Sequence, residues 1–140
     1  MGIVGRMWRA GRYLSLAAAA ATVTVTTACG ASPSPAGTVA REFVGALDAS
    51  DTASACGLLA PKTKSELEKS AGKPCAVALG EEDLPSPGAI ETTEAFGTMA
   101  QVRFSEDTLF LAEFRGGWRV MAAGCAPEPG HPYDCQLGGG

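Results

Sequence analysis

The chain has 140 residues, with 11 Lys and Arg against 15 Asp and Glu and a formal net charge of −4. That length accommodates one domain, and the acidic balance argues against nucleic acid or an anionic membrane surface as partner, since both are recognised through clustered Lys and Arg. Asn is absent, Ile occurs only at Ile3 and Ile90, and Ala is the commonest residue, a bias of the kind a GC-rich bacterial genome imposes.

Arg6, Arg9 and Arg12 precede the uncharged run Leu14–Ala28, rich in Ala, Val and Thr, which leads into Cys29. A basic start, an apolar stretch and small residues before a cysteine form the layout of a secretory signal peptide. The run falls short of the ~20 residues that a membrane span needs. Arg9 and Arg12 are not adjacent, so the twin-arginine route has no support. Thr26-Thr27-Ala28-Cys29 resembles a bacterial lipobox, with Thr26 where Leu is usual, and this implies cleavage before Cys29 and a diacylglycerol on its thiol. The other readings are an ordinary secretory signal cut at a nearby small residue and an uncleaved transmembrane helix. Residues 1–28 are therefore expected to be a lipoprotein signal peptide and residues 29–37 a lipidated cysteine with a flexible tether. The tether contains only Gly, Ala, Ser and Pro after Cys29 and has nothing to bury. Without Arg6, Arg9 and Arg12 the exported chain 29–140 keeps 8 basic against 15 acidic residues, a net −7.

Setting Cys29 aside leaves Cys56, Cys75, Cys125 and Cys135, the number that two disulfides need in an oxidising compartment. Three pairings can be drawn. Nearness in sequence favours Cys56–Cys75 and Cys125–Cys135, each closing a short loop worth about 2–3 kcal/mol. No pair has CxxC spacing and His131 is the sole histidine, so a structural zinc site is not expected.

Helices come first. Thr38 can cap a helix with Val39, Phe43, Val44 and Leu47 on one stripe, and Ser50 or Asp51 can cap a second with Ala55, Cys56, Leu58 and Leu59. Pro61 opens a solvated third helix around Leu67 that ends at Gly72. Ala76–Leu79 reads as a short apolar turn, and Gly80–Gly88 as a linker with three acids and two prolines. Beyond it the period changes to two. Ile90–Phe96, Met99–Phe104, Thr108–Phe114 and Trp118–Ala122 read as four strands joined by short, turn-prone connections. The expected fold is α+β, with N-terminal helices packed on a curved four-stranded antiparallel sheet in a single domain over 38–137 and a frayed tail at 138–140.

With Asp107-Thr108-Leu109-Phe110-Leu111, Gly117-Trp118-Arg119-Val120, Ala122-Ala123-Gly124-Cys125 and Pro132-Tyr133-Asp134-Cys135, this order of elements resembles the small cysteine-containing lipoproteins of high-GC Gram-positive bacteria. Their domain is similar to the NTF2-like, cone-shaped fold. The resemblance implies a habit of pairing two copies through the open sheet face. It does not imply an activity, because that fold hosts enzymes, ligand binders and interaction domains alike.

Catalytic constellations are sparse. His131 lies between Gly130 and Pro132 in an expected disulfide loop, and the cysteines are expected to be paired. Glu91, Glu94, Glu106, Asp107 and Glu113 fall on or near strands. Glu113 stands out on an otherwise apolar strand, and a partner such as Arg103 or Arg119 is expected for it. The expected function is that of a non-enzymatic, lipid-anchored envelope domain, with neither cofactor nor metal, that binds a protein or cell-envelope component at the outer face of the cytoplasmic membrane. The alternative is a small-ligand module lined by Phe96, Phe104, Phe110 and Trp118, and a further one is an enzyme using carboxylate acid/base chemistry, promoted by a buried Glu91 or Glu113.

Overall fold

The computed structural model describes residues 34–138. The expected signal peptide, the lipidation site Cys29, the tether as far as Pro33, and Gly139 and Gly140 of the tail lie outside the described residues. Four helices, α1 (Pro35–Asp48), α2 (Thr52–Leu58), α3 (Pro61–Ala71) and α4 (Cys75–Glu81), precede five strands, β1 (Ile90–Phe96), β2 (Met99–Phe104), β3 (Thr108–Phe114), β4 (Gly117–Glu128) and β5 (His131–Gly138). The strands form one antiparallel sheet in the order β1-β2-β3-β4-β5. The class is α+β. The sheet has five strands where four were expected, because β4 continues past Ala122 to Glu128 and the segment expected as a disulfide loop is β5, which takes in Gly138 from the expected tail.

α1 begins earlier than the expected Thr38 cap. Proline at the first helical position has its φ preset and no N–H to leave unpaired, so Pro35-Ala36-Gly37, expected in the tether, are helical and Ala36 and Gly37 are buried. Small size matters here, since a Cβ on Gly37 would come within 3.1 Å of Thr93 Oγ1. Thr38 lies inside the first turn and its hydroxyl donates to the Ser34 carbonyl at 3.2 Å. Asp51 caps α2 by accepting from the Ser54 amide at 3.1 Å, and α3 ends at Gly72 in the left-handed conformation. The expected apolar turn at Ala76–Leu79 is the body of α4.

Alternation sorts the sheet into two faces. Ala100, Val102 and Phe104 pair in register with Leu111, Leu109 and Ile90, Leu111 pairs with Val120, and these side chains meet Ala40 and Phe43 of α1 and Leu79 of α4 in one buried core. α1 runs antiparallel to β1. Gly37 sits against Thr93, whereas Arg41, Val44 and Asp48 border a cavity shared with Ile90 and Phe104. The N-terminus of α1 thus points to the end of the sheet that carries both the Gly97-Thr98 and the Arg115-Gly116 turns.

β4 bulges at Met121, which is the extra residue between Val120, paired with Leu111, and Ala122, paired with Phe110. Along its outer edge, Leu59 bridges to Val120 and the Ala60 amide donates to the Val120 carbonyl at 2.8 Å, with β5 taking over from Ala122 onwards. Two disulfides lock the layout. Cys56–Cys75 joins α2 to α4, and Cys125–Cys135 joins registered residues of β4 and β5, as sequence nearness suggests. No helix among the described residues is long and apolar enough to cross a membrane.

Candidate functional site

The face of the sheet turned away from α1 carries Phe96, Met99, Gln101, Phe110, Phe114 and Tyr133. Phe96 pairs with Met99, Met99 with Ala112 and Gln101 with Phe110, which places them on the side opposite Val102 and Leu109. Phe96 is 67% exposed, Met99 43% and Phe114 40%. Large apolar side chains gathered in the open mark a binding surface more often than a lone exposed residue does. Phe110 meets Tyr133 edge-to-face with ring centroids 4.9 Å apart, and the Gln101 amide donates to the Tyr133 hydroxyl at 2.8 Å.

α3 turns this face into a groove. The Thr63 hydroxyl donates to the Met121 carbonyl at 2.8 Å, which holds the first turn of α3 beside the bulge. Between them lies an open cavity of about 620 Å³, walled by Ala60, Pro61 and Thr63 on one side and by Met99, Phe110, Phe114, Met121, Pro132 and Tyr133 on the other. That volume lies within the range of small-molecule sites, and its lining is mostly apolar. Lys62 and Glu66 form an ion pair at 3.5 Å on the solvent side of the groove. Such an exposed pair stabilises the fold little, but it is a charged rim.

The four aromatics expected to line one pocket are divided by the sheet. Phe110 lines the groove and Phe96 lies on the same face, whereas Phe104 is buried in the core and Trp118 packs against that core from the helix side. Strand parity explains the division, since Phe104 follows Val102 by two residues and Trp118 stands opposite Glu113, which follows Leu111 by two. The same parity corrects the expected ion pair of Glu113. Arg119 is paired with Ala112 and Arg103 with Thr108, both on the open face, so neither arginine shares a face with Glu113. Glu113 and Glu91 are exposed at strand ends and remain in water, so burial does not force a partner on them. His131 is exposed at the start of β5.

The buried carboxylate is Asp107, in the turn between β2 and β3. Its Oδ1 accepts from the Thr108 amide at 2.6 Å and the Cys125 amide at 2.8 Å, and its Oδ2 from the Gly124 amide at 3.1 Å. Burial pushes its pKa above the ordinary carboxylate value, against the opposing pull of those three donors. With both oxygens engaged by backbone, this carboxylate ties the β2–β3 turn to β4. No group of three or more His, Cys, Asp or Glu is gathered to hold a metal ion among the described residues. Tyr133, Met121 and the first turn of α3 are site residues that sequence patterns did not mark. Comparison with protein-family models, with curated proteins and with solved structures found no match.

Proposed function

We propose that this chain is an exported, lipid-anchored binding domain of non-enzymatic type, held on the outer face of the cytoplasmic membrane through Cys29, that engages a protein or cell-envelope partner through the groove on the open sheet face. The observation that carries this reading is the groove itself. Its walls are apolar and partly exposed, its rim is charged, and its residues come from five separate elements, α3, β2, β3, β4 and β5, which fix it as a preformed surface. The basic, apolar and small-residue stretches ahead of Cys29 support export and lipidation. Two disulfides support a compartment in which such bonds persist. Helices followed by an antiparallel meander agree with the NTF2-like resemblance, and a second copy paired through the same face would be one form of the partner.

Intact-mass analysis of protein extracted from native membranes tests the anchor. The expected mass is that of residues 29–140 with a diacylglycerol and four hydrogens fewer for the two disulfides, and a mass that retains residues 1–28 overturns it. Photo-crosslinking in cells tests the groove. A benzophenone side chain at Phe110 should give one discrete adduct that the same group at Val77 on α4 does not give. The cavity volume favours a second reading, a small apolar ligand in the same groove, which a non-covalent mass retained under gentle extraction would support.

A further inference from the structure

We propose that the end of the domain carrying Phe96, Met99 and Phe114 docks into the surface of the bilayer that holds the lipid anchor. This rests on the anchored reading above and adds an orientation to it, with Met99 and Phe114 forming the membrane-proximal end of the groove and Tyr133, toward the opposite end, left open to the partner. Phe96 and Met99 flank the Gly97-Thr98 turn, and Phe114 adjoins the Arg115-Gly116 turn. In an antiparallel meander alternate turns fall at the same end, and the Glu113 amide donating to the Thr98 carbonyl at 2.8 Å joins the Gly97-Thr98 turn to the end of β3 that leads into the Arg115-Gly116 turn. Three of the four large apolar side chains left exposed among the described residues therefore occupy one end of one face.

The chain enters at that same end. Gly37 lies against Thr93, and α1 leads back from it by about 1.5 Å per residue to Ser34. β1 leads from Thr93 to Phe96 in the same direction, at about 3.3 Å per residue. Five residues from Cys29 reach Ser34, so a lipid on Cys29 keeps Ser34 within about 18 Å of the membrane. An anchor this short presents the α1 N-terminus, and with it the two turns, to the lipid. The placement of charge agrees. Arg115 and Arg119 lie beside the apolar cluster, with Glu94 and Glu113 as the acids nearby. At the far end Asp48 and Glu82 border one cavity with Pro87, and Glu91, Glu106 and Asp107 border another with Arg103, so acids outnumber arginines there even with Arg41 beside Asp48. The acidic end is thus held away from lipid phosphates. Shallow insertion of Phe and Met side chains beside arginine is the chemistry of an interfacial contact. No polybasic patch is required, because the anchor supplies the attachment and the aromatic tip sets only the orientation.

The test uses the membrane-extracted protein, its lipid verified by intact mass, reconstituted into phosphatidylcholine and phosphatidylglycerol vesicles containing brominated phosphatidylcholine. In a Trp118→Phe background, Phe114→Trp should be quenched several-fold more strongly than Val77→Trp. Phe96→Trp gives a second reading of the same tip if Phe114→Trp does not fold. Quenching should survive about 0.5 M salt, where charge attraction is screened within a few ångströms. Equal, weak quenching at 114 and 77 in lipid-bearing protein overturns the docking and leaves the anchored reading intact. Quenching abolished by salt overturns insertion in favour of attachment by charge. Protein that lacks the diacylglycerol mass overturns the anchored reading and the docking with it.

Discussion

Asp107 shows how one side chain can hold two parts of a sheet together. Its carboxylate collects three backbone N–H groups, two of them from Gly124 and Cys125, which lie far along the chain. Replacing it with Ala leaves these donors unpaired in a buried turn, and Asp107→Ala should lower unfolding free energy by about 2–3 kcal/mol, read as a shifted urea midpoint with an unchanged slope. The sign of its pH dependence follows from its raised pKa. A carboxyl that binds its proton more tightly when folded adds stability that is complete below the unfolded value near 3.8 and is lost as pH rises through the folded value. Asp107→Asn cannot titrate, so the stability of the native protein relative to this variant should fall as pH rises above the unfolded value near 3.8. A difference that stays constant with pH would contradict this assignment. Gly124 is the partner residue. It has φ +65, and a Cβ there would come within 3.1 Å of Gln136 and Leu84 side chains. Gly124→Ala should therefore cost about 1–3 kcal/mol, visible as a lower melting temperature.

The elements differ in how far their residue patterns reveal them. β1, β2 and β3 have the bounds expected from period-two alternation, because Ala100-Gln101-Val102-Arg103-Phe104 and its neighbours switch faces cleanly between short turns. The far half of β4 and all of β5 have no such pattern. Gly124, Pro127, Pro129, Gly130 and Pro132 read as breakers, and the strands form there because a hairpin at the sheet edge can place proline without losing ladder bonds and because Cys125–Cys135 binds registered residues. The groove was hidden for the same reason. It depends on a bulge that adds Met121, on Tyr133 in an unrecognised strand, and on α3 held beside the bulge by the Thr63 hydroxyl and the Ala60 amide, all of which are tertiary facts. The pairing of α2 with α4 is reinforced covalently across 19 residues. Cys56→Ser with Cys75→Ser should destabilise by about 3 kcal/mol in chain-entropy terms, measurable by denaturant unfolding, with the β4–β5 bridge kept intact as control.

At the scale of the molecule, one face of the sheet holds the core and the other carries the proposed binding groove. Leu109, Leu111, Val102 and Val120 are fully buried on one side, while Phe110 is only half-buried on the other. Phe110→Arg should leave the melting temperature within a few degrees of the native protein and abolish the adduct formed by a benzophenone side chain at Lys62 across the groove, since a surface substitution perturbs binding more than stability. Loss of the fold on that change would place Phe110 in the core instead. The two disulfides have a consequence at this scale as well. The exposed Gly72-Lys73-Pro74 connection falls within the loop closed by Cys56–Cys75, and the exposed Pro129-Gly130 turn falls within the loop closed by Cys125–Cys135. A protease that clips either loop makes a nick without shedding a fragment, and the clipped chain stays a single covalent body until a reductant reaches it.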